Sequence, residues 1–113
     1  MTYEDVQARQ RAFRTDRDWD QFHNPKDLAI SISLEAAELL ECFQWSGTDL
    51  TVDQKRAHMA EELADVAIYC MHMADALDLD LLQAISDKLD ANIEKYPVEK
   101  AKGSSKKYTE LDA

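Results

Sequence analysis

An all-α fold is predicted by three features of this sequence. No segment alternates polar and apolar residues with period two, no glycine-containing pair marks a hairpin, and four stretches repeat apolar residues at helical spacing. The expected architecture is a four-helix bundle subunit, formed by residues 1–97 and followed by a basic tail, 98–113. The central helices are each near 30 Å or longer at about 1.5 Å per residue, a length that suits a bundle.

The first helix is expected from the N-cap Thr2 to about Arg17, with Val6, Gln10, Phe13 and Arg17 along one face. A connector, Asp18 to His23, carries Trp19 and Phe22. The second helix opens where Asn24 caps and Pro25 takes the first helical position, where its missing N–H costs nothing, and it continues to about Trp45. Ser46-Gly47-Thr48 ends it. Thr51-Val52-Asp53-Gln54 has capping-box form and is expected to open a third helix, to about Leu77. Asp80 and Gln83 repeat the pattern for a fourth helix, which stops at Tyr96 because Pro97 disfavours helix in the residue before it.

Composition narrows the function. A hydrophobic content of 45% supports a real core in a single domain of 113 residues. The net charge of −10 repels a nucleic acid backbone, so no nucleic acid polymer is expected as partner. Four lysines, Lys100, Lys102, Lys106 and Lys107, offset three acids after Val98, so a basic tail follows an acidic body. No apolar run approaches the roughly 20 residues of a membrane span. Met1 to Asp5 lacks the basic start of a signal peptide, so no membrane partner and a cytoplasmic location are expected. Cys42 and Cys70 have neither metal spacing nor the density of a disulfide scaffold and read as reduced packing thiols.

The chemistry lies in two acidic pairs. Glu35 and Glu38 share one face of the second helix with Asn24, Leu28, Ser31, Leu39 and Cys42, and are expected to point inward. On the third helix, Lys55, His58, Glu62, Asp65, Tyr69, His72 and Met73 form a stripe, with Glu61 on its flank. Isolated buried carboxylates take up protons or find partners, and too few basic residues share these faces to neutralise four. Two facing helices that supply oxygen ligands to a divalent ion resolve the charge, with Mg²⁺ first and Mn²⁺ second. Iron is disfavoured, since a di-iron bundle asks for Glu-x-x-His and the positions three after Glu35 and Glu62 are Glu38 and Asp65. His58 and His72 are expected in core or supporting roles.

These residues bring a resemblance into view. Glu35-x-x-Glu38, then Glu62-x-x-Asp65 within "EELADVAIYC", resembles the metal signature of the MazG-like all-α nucleoside triphosphate pyrophosphohydrolases. The segments "RDWDQFHNPKDL", "ELLECFQW", "NIEKYP" and "SSKKYTEL" resemble its dCTP pyrophosphatase-like branch. The resemblance implies Mg²⁺-dependent cleavage of a (d)NTP, such as dCTP, between the α and β phosphates to give monophosphate and pyrophosphate, a house-cleaning reaction on the nucleotide pool. Glu35, Glu38, Glu62 and Asp65 would hold the metal and carry catalysis, with Glu41 or Glu61 as outer groups. The ion neutralises triphosphate charge and lowers the pKa of an attacking water.

Substrate contacts follow on the same footing. Trp19 and Trp45 are candidates to stack on the base, His23 to hydrogen-bond base or sugar, and Tyr69 to pack on the deoxyribose. Lys88, Asn92 and Tyr96 fall in phase with Ile85 and Leu89, and Lys26, Lys106 and Lys107 are candidates to close over phosphates. Gln10 occupies the position nine residues before the first tryptophan, where animal members of the branch carry histidine. The expected assembly is a homodimer or homotetramer. Two rival readings use the same residues: a non-catalytic nucleotide- or metal-binding helical oligomer, including an antitoxin-like partner protein, and a structural oligomer joined by acid–lysine bridges.

Overall fold

A computed structural model describes residues 1–111, and among these residues it contains helices and no strand. The all-α expectation is met. Asp112 and Ala113, the end of the expected basic tail, lie outside the described residues. The chain forms two compact units that meet between Leu79 and Asp80.

The first unit holds α1 (Tyr3–Asp16), α2 (Pro25–Glu41) and α3 (Arg56–Ala76), with short 3₁₀ turns at Asp20–Phe22 and Asp53–Lys55. α1 opens on a reciprocal cap: the Thr2 hydroxyl accepts from the Asp5 N–H at 3.1 Å, and the Thr2 N–H donates to the Asp5 carboxylate at 2.9 Å. Asn24 caps α2 by accepting from the Asp27 N–H at 3.0 Å, with Pro25 at the first helical position. α2 and α3 pack against each other most extensively, and α1 lies against α3.

The ends of α1 and α3 share one device. Asp18 and Asp78 adopt left-handed φ of 57° and 53°. Trp19 N–H donates to Arg14 O at 3.0 Å and Leu79 N–H to Ala74 O at 2.8 Å, the bond pattern of a Schellman motif, in which a left-handed residue lets the chain turn back over the last helical carbonyls. Aspartate tolerates this conformation better than most non-glycine residues.

Two expected boundaries change, and so does the buried face of α1. α2 ends at Glu41, not near Trp45: the N–H groups of Cys42, Phe43 and Gln44 donate three residues back, tightening the chain into a turn that leaves Trp45 left-handed at φ 67°. Thr51 does not cap α3. Asp49 Oδ1 accepts from the N–H groups of Thr51 and Val52 instead, and α3 begins at Arg56 after a 3₁₀ turn, with Lys55 as an N-cap that makes no side-chain bond. The buried face of α1 carries Gln10 and Arg14, whereas Arg17 turns outward and lays its guanidinium 4.0 Å from the centre of the Phe13 ring.

The buried apolar side chains among the described residues are Leu28, Cys42, Val52, Met71 and Ala74. A set this small leaves Ile30, Leu34 and Leu40 of α2 and Leu63 of α3 exposed.

The second unit holds α4 (Leu81–Lys95) and the short α5 (Val98–Ala101). Asp80 caps α4 by accepting from the Gln83 N–H at 3.1 Å, while the Gln83 amide turns forward to Asp87. The apolar stripe Leu82, Ile85, Leu89 and Ile93 is exposed along α4.

Candidate functional site

Helical geometry brings the acidic pairs together. Glu35 on α2 and Glu62 and Asp65 on α3 offer one carboxylate oxygen each, all within 4.8 Å of one another. Glu38, one turn after Glu35, approaches both Glu35 and Glu62 closely enough to share a proton with either. Glu62 is buried and Glu35 half-buried, but Glu38 and Asp65 are exposed, which corrects the expectation that both members of the α2 pair point inward. The cluster therefore opens to solvent on one side.

Electrostatics mark the cluster as incomplete. Burial raises the Glu35 carboxyl above its ordinary range, and the hydrogen bond and charge of Glu38, with the charges of Asp65 and Glu62, push it the same way. For Glu62 the shared proton with Glu38 is the leading cause of a raised pKa, followed by burial, and His58 opposes it. Oε2 of Glu35 and Oε2 of Glu62 are buried with no hydrogen-bond partner. Repelling carboxylates with orphaned buried oxygens fit an oxygen-ligated dication, since a cation would satisfy those oxygens and remove the repulsion.

His58 is exposed, not in the core. Its Nδ1 lies 3.7 Å from Glu61 and its Nε2 3.5 Å from Glu62, so it flanks the cluster. Lys55 sits before α3 and makes no ion pair with the cluster.

Beside the carboxylates lies a cavity of about 440 Å³, walled by Val6, Phe13, Trp19, Ile68 and Tyr69, with Glu35 and Asp65 at one edge. Trp19 stands edge-on to Phe13 at 5.5 Å between ring centres, held there by the turn that closes α1. His23 packs against Tyr69 and, at 4.6 Å, against His72. Burial and the Arg14 charge lower the pKa of His23, and its Nδ1 is buried with no partner.

Gln10 and His72, which line this cavity, belong to a polar network whose Arg14, Asp20 and Asp75 line a neighbouring cavity of about 210 Å³. The buried Arg14 donates to Asp20 at 2.6 Å, Asp75 at 3.0 Å and Gln10 Oε1 at 3.3 Å, and its Nη1 lies 3.2 Å from His72 Nδ1. Asp75 also accepts from Gln10 Nε2 at 2.8 Å and from Arg11. Burial alone would push the Asp75 carboxyl up, but bonds from Arg11, Gln10 and Arg14 outweigh it and hold the group at about 2. His72 is depressed to about 4 by burial, then by His23 and Arg14.

Among the candidate substrate contacts, Trp19, His23 and Tyr69 line the cavity beside the carboxylates. Trp45 does not line it: it is 92% exposed on the turn after α2. Lys26 is exposed in the first turn of α2. Lys88, Asn92, Tyr96, Lys106 and Lys107 belong to the second unit. There, Asn92 is half-buried, Tyr96 packs edge-on against Tyr108 at 6.2 Å, and both tail lysines are exposed. Sequence analysis did not single out Arg14 and Asp75, because two charged residues on amphipathic helices look like surface groups until a third element buries them.

The first unit thus presents a helical cluster of carboxylates that could hold a metal ion, beside an aromatic cavity of about 440 Å³. Residues 30–111 match the model of the MazG-like family, and the chain belongs to that family. It is 40% identical to dCTP pyrophosphatase 1 of Mus musculus and of Homo sapiens over 97% of its length, spanning 68% of each relative. Among solved structures it resembles a pyrophosphatase from Archaeoglobus fulgidus, with 41% identity, a TM-score of 0.75, and coverage of 83% of this chain and 91% of the other.

Proposed function

We propose that the chain hydrolyses deoxynucleoside triphosphates, dCTP or a close relative first among them, to monophosphate and pyrophosphate, removing unwanted nucleotides from the pool. The observation that carries this reading is the juxtaposition of three carboxylate oxygens within 4.8 Å with an aromatic cavity that shares Glu35 and Asp65 with them. The curated relatives, named as dCTP pyrophosphatases, support it.

Glu35, Glu62 and Asp65, joined by Glu38, are assigned as the ligands of Mg²⁺, with Mn²⁺ as substitute, because oxygen-only carboxylate ligation selects hard ions. When bound, the ion supplies neutralisation of the polyphosphate and a lowered pKa for the attacking water. Trp19 holds the base by stacking, with Phe13 edge-on to it, and Tyr69 flanks the sugar, which fixes the α phosphate over the carboxylates and excludes water from the base. Lys26, Trp45, Lys88, Asn92, Tyr96, Lys106 and Lys107 remain candidates for phosphate or base contacts in the assembled protein. The rival role, nucleotide binding without turnover, predicts bound substrate and no product.

The assembly is proposed to be a homodimer or homotetramer. Five buried apolar side chains among the described residues make a thin core for a chain of this size, and the exposed Ile30, Leu34, Leu40 and Leu63 give further copies an apolar face to cover. A cytoplasmic setting accords with the two free thiols, Cys42 and Cys70, and no helix of the described residues is long and apolar enough to cross a membrane. Incubating the protein with dCTP and Mg²⁺ and separating products by ion exchange tests the reaction. Monophosphate with pyrophosphate supports it; dCDP with orthophosphate overturns it.

A further inference from the structure

We propose that His72 determines base specificity: Arg14 fixes its Nε2–H tautomer, and that N–H donates to an acceptor atom on the edge of a cytosine-type base seated in the aromatic cavity. The inference rests on the reading of that cavity as the nucleoside site.

The tautomer follows from the neighbours. An arginine can only donate, so Arg14 Nη1 at 3.2 Å from His72 Nδ1 requires a lone pair on that nitrogen, and the proton must sit on Nε2. Arg14 is itself fixed by Asp75 and Asp20 through ion pairs of 3.0 and 2.6 Å. His72 is 4% exposed, lines the cavity, and has no partner for Nε2 among the described residues. That N–H is left to donate to an acceptor on a ligand in the cavity, a bond worth more in a site shielded from water. His23 Nδ1, buried and unpartnered against the same ring, is the second polar atom left open there.

The acceptors of the network that holds His72 are already engaged. Gln10 Oε1 takes a bond from Arg14, and both oxygens of Asp75 take bonds from Gln10, Arg11 and Arg14. Gln10 is therefore a member of the supporting network and not a free reader of the base. His72 Nε2–H is the group there whose role as donor is fixed by its neighbours, and a donor favours a base whose edge offers adjacent acceptors. Cytosine does so through O2 and N3. Thymine and uracil present an N3–H between their carbonyls, so a donor placed against that position leaves two hydrogens facing each other, which a polar site penalises strongly.

The test compares His72→Leu and His72→Gln with the wild type on dCTP and dTTP under Mg²⁺. His72→Leu is expected to lower kcat/KM for dCTP by about tenfold or more, through KM and with kcat held within about twofold, while kcat/KM for dTTP holds or rises as the facing N–H is removed. His72→Gln, which returns an N–H close to the Nε2 position, restores most of the preference. An unchanged dCTP to dTTP ratio in His72→Leu overturns the proposal.

Nitrogen NMR of histidine-labelled protein reads the same contact without turnover. The wild type is expected to show His72 protonated at Nε2 and free at Nδ1, and that Nε2 signal to shift on adding dCMP with Mg²⁺ but not dTMP. Arg14→Met is expected to release a mixture of tautomers and to lower the base preference as far as His72→Leu does; should that variant fail to fold, the wild-type spectrum and His72→Leu decide. If the wild type yields no monophosphate and pyrophosphate, the proposed reaction fails while the dCMP titration still judges His72. An unshifted Nε2 signal, or a proton on Nδ1, overturns the inference.

Discussion

Gln10 of α1 and Asp75 of α3 are joined by a 2.8 Å hydrogen bond across 65 residues of sequence, and the same carboxylate is clasped by Arg14 and Arg11. This bond ties the first helix to the third through Gln10, which lines the cavity, so the aromatic wall contributed by α1 depends on a charged contact and not on apolar packing alone. Removing the Asp75 carboxylate leaves the buried Arg14 with only Asp20 as counter-charge. Breaking a buried pair from one side costs about 3 to 5 kcal/mol, whereas an exposed pair is worth about 1 or less. Asp75→Ala is therefore expected to lose about 3 kcal/mol in urea unfolding, and Arg11→Ala, whose side chain is 48% exposed, under about 1 kcal/mol. Equal losses would show that Arg14 is not the partner that matters.

The parts of this design that were legible in sequence are those governed by local rules. Thr2, Asn24 and Asp80 cap their helices as their side-chain chemistry demands, and the three-residue spacing of the two acidic pairs brings Glu35, Glu62 and Asp65 into one cluster with Glu38 against Glu35 and Glu62. What escaped local reasoning depends on tertiary neighbours or on uncommon backbone states. Asp18 and Asp78 close helices in a conformation usually left to glycine, and Val52 takes a left-handed φ of 43° that a β-branched residue rarely adopts. The choice of Arg14 over Arg17 as the buried arginine was invisible along α1, because only the approach of Asp75 and His72 from α3 makes that burial tolerable.

Stability should fall with acid in a way that His72 controls. Its folded value of about 4 lies below its ordinary 6.5, so the unfolded chain takes the proton first. The contribution is complete above about pH 6.5 and is lost as pH falls towards 4. Asp75, at about 2 against 3.8, adds a further loss only between those two values. Glu35 and Glu62 act oppositely, since their raised values favour the fold at low pH and lose that effect as pH rises. Arg14, Asp75, Asp20 and His23 surround the imidazole, and the comparison with His72→Leu isolates it. Between pH 7 and 5 the wild type is expected to lose about 2 kcal/mol more than the variant in matched urea titrations. Parallel losses would place the titrating group elsewhere.

The exposed leucines of α2 should report on assembly. Leu34 is 61% exposed in the single chain, a costly position for a large apolar side chain on a helix that also supplies Glu35. Leu34→Glu is expected to shift the sedimenting species to a smaller size and to lower stability at dilute concentration, because a thin core loses the surface that copies cover. A monomeric wild type would remove the premise.

Turnover should depend on the carboxylates through charge and not shape. Glu38→Gln and Asp65→Asn keep side-chain volume while removing one negative charge each from the cluster. Each is expected to reduce pyrophosphate release from dCTP by about a hundredfold or more, with helical circular dichroism unchanged. Retention of activity in both would shift the site away from this cluster.

The same cluster should behave in opposite ways with and without a metal ion. In metal-free buffer at pH 7, Glu35 carries a raised pKa because it is partly buried among Glu38, Asp65 and Glu62, so its charge opposes folding. Glu35→Gln removes that repulsion and is expected to raise the melting temperature of the metal-free protein. A ligand that binds only the folded state stabilises it by about 2.7 kcal/mol at a hundred times its Kd, and the wild type should gain on this scale when Mg²⁺ is added. The variant, which has given up one of the oxygens within 4.8 Å of the others, should gain far less, so the two melting curves cross as Mg²⁺ is titrated. Curves that stay parallel would mean that these carboxylates do not hold the ion, whatever activity the protein shows.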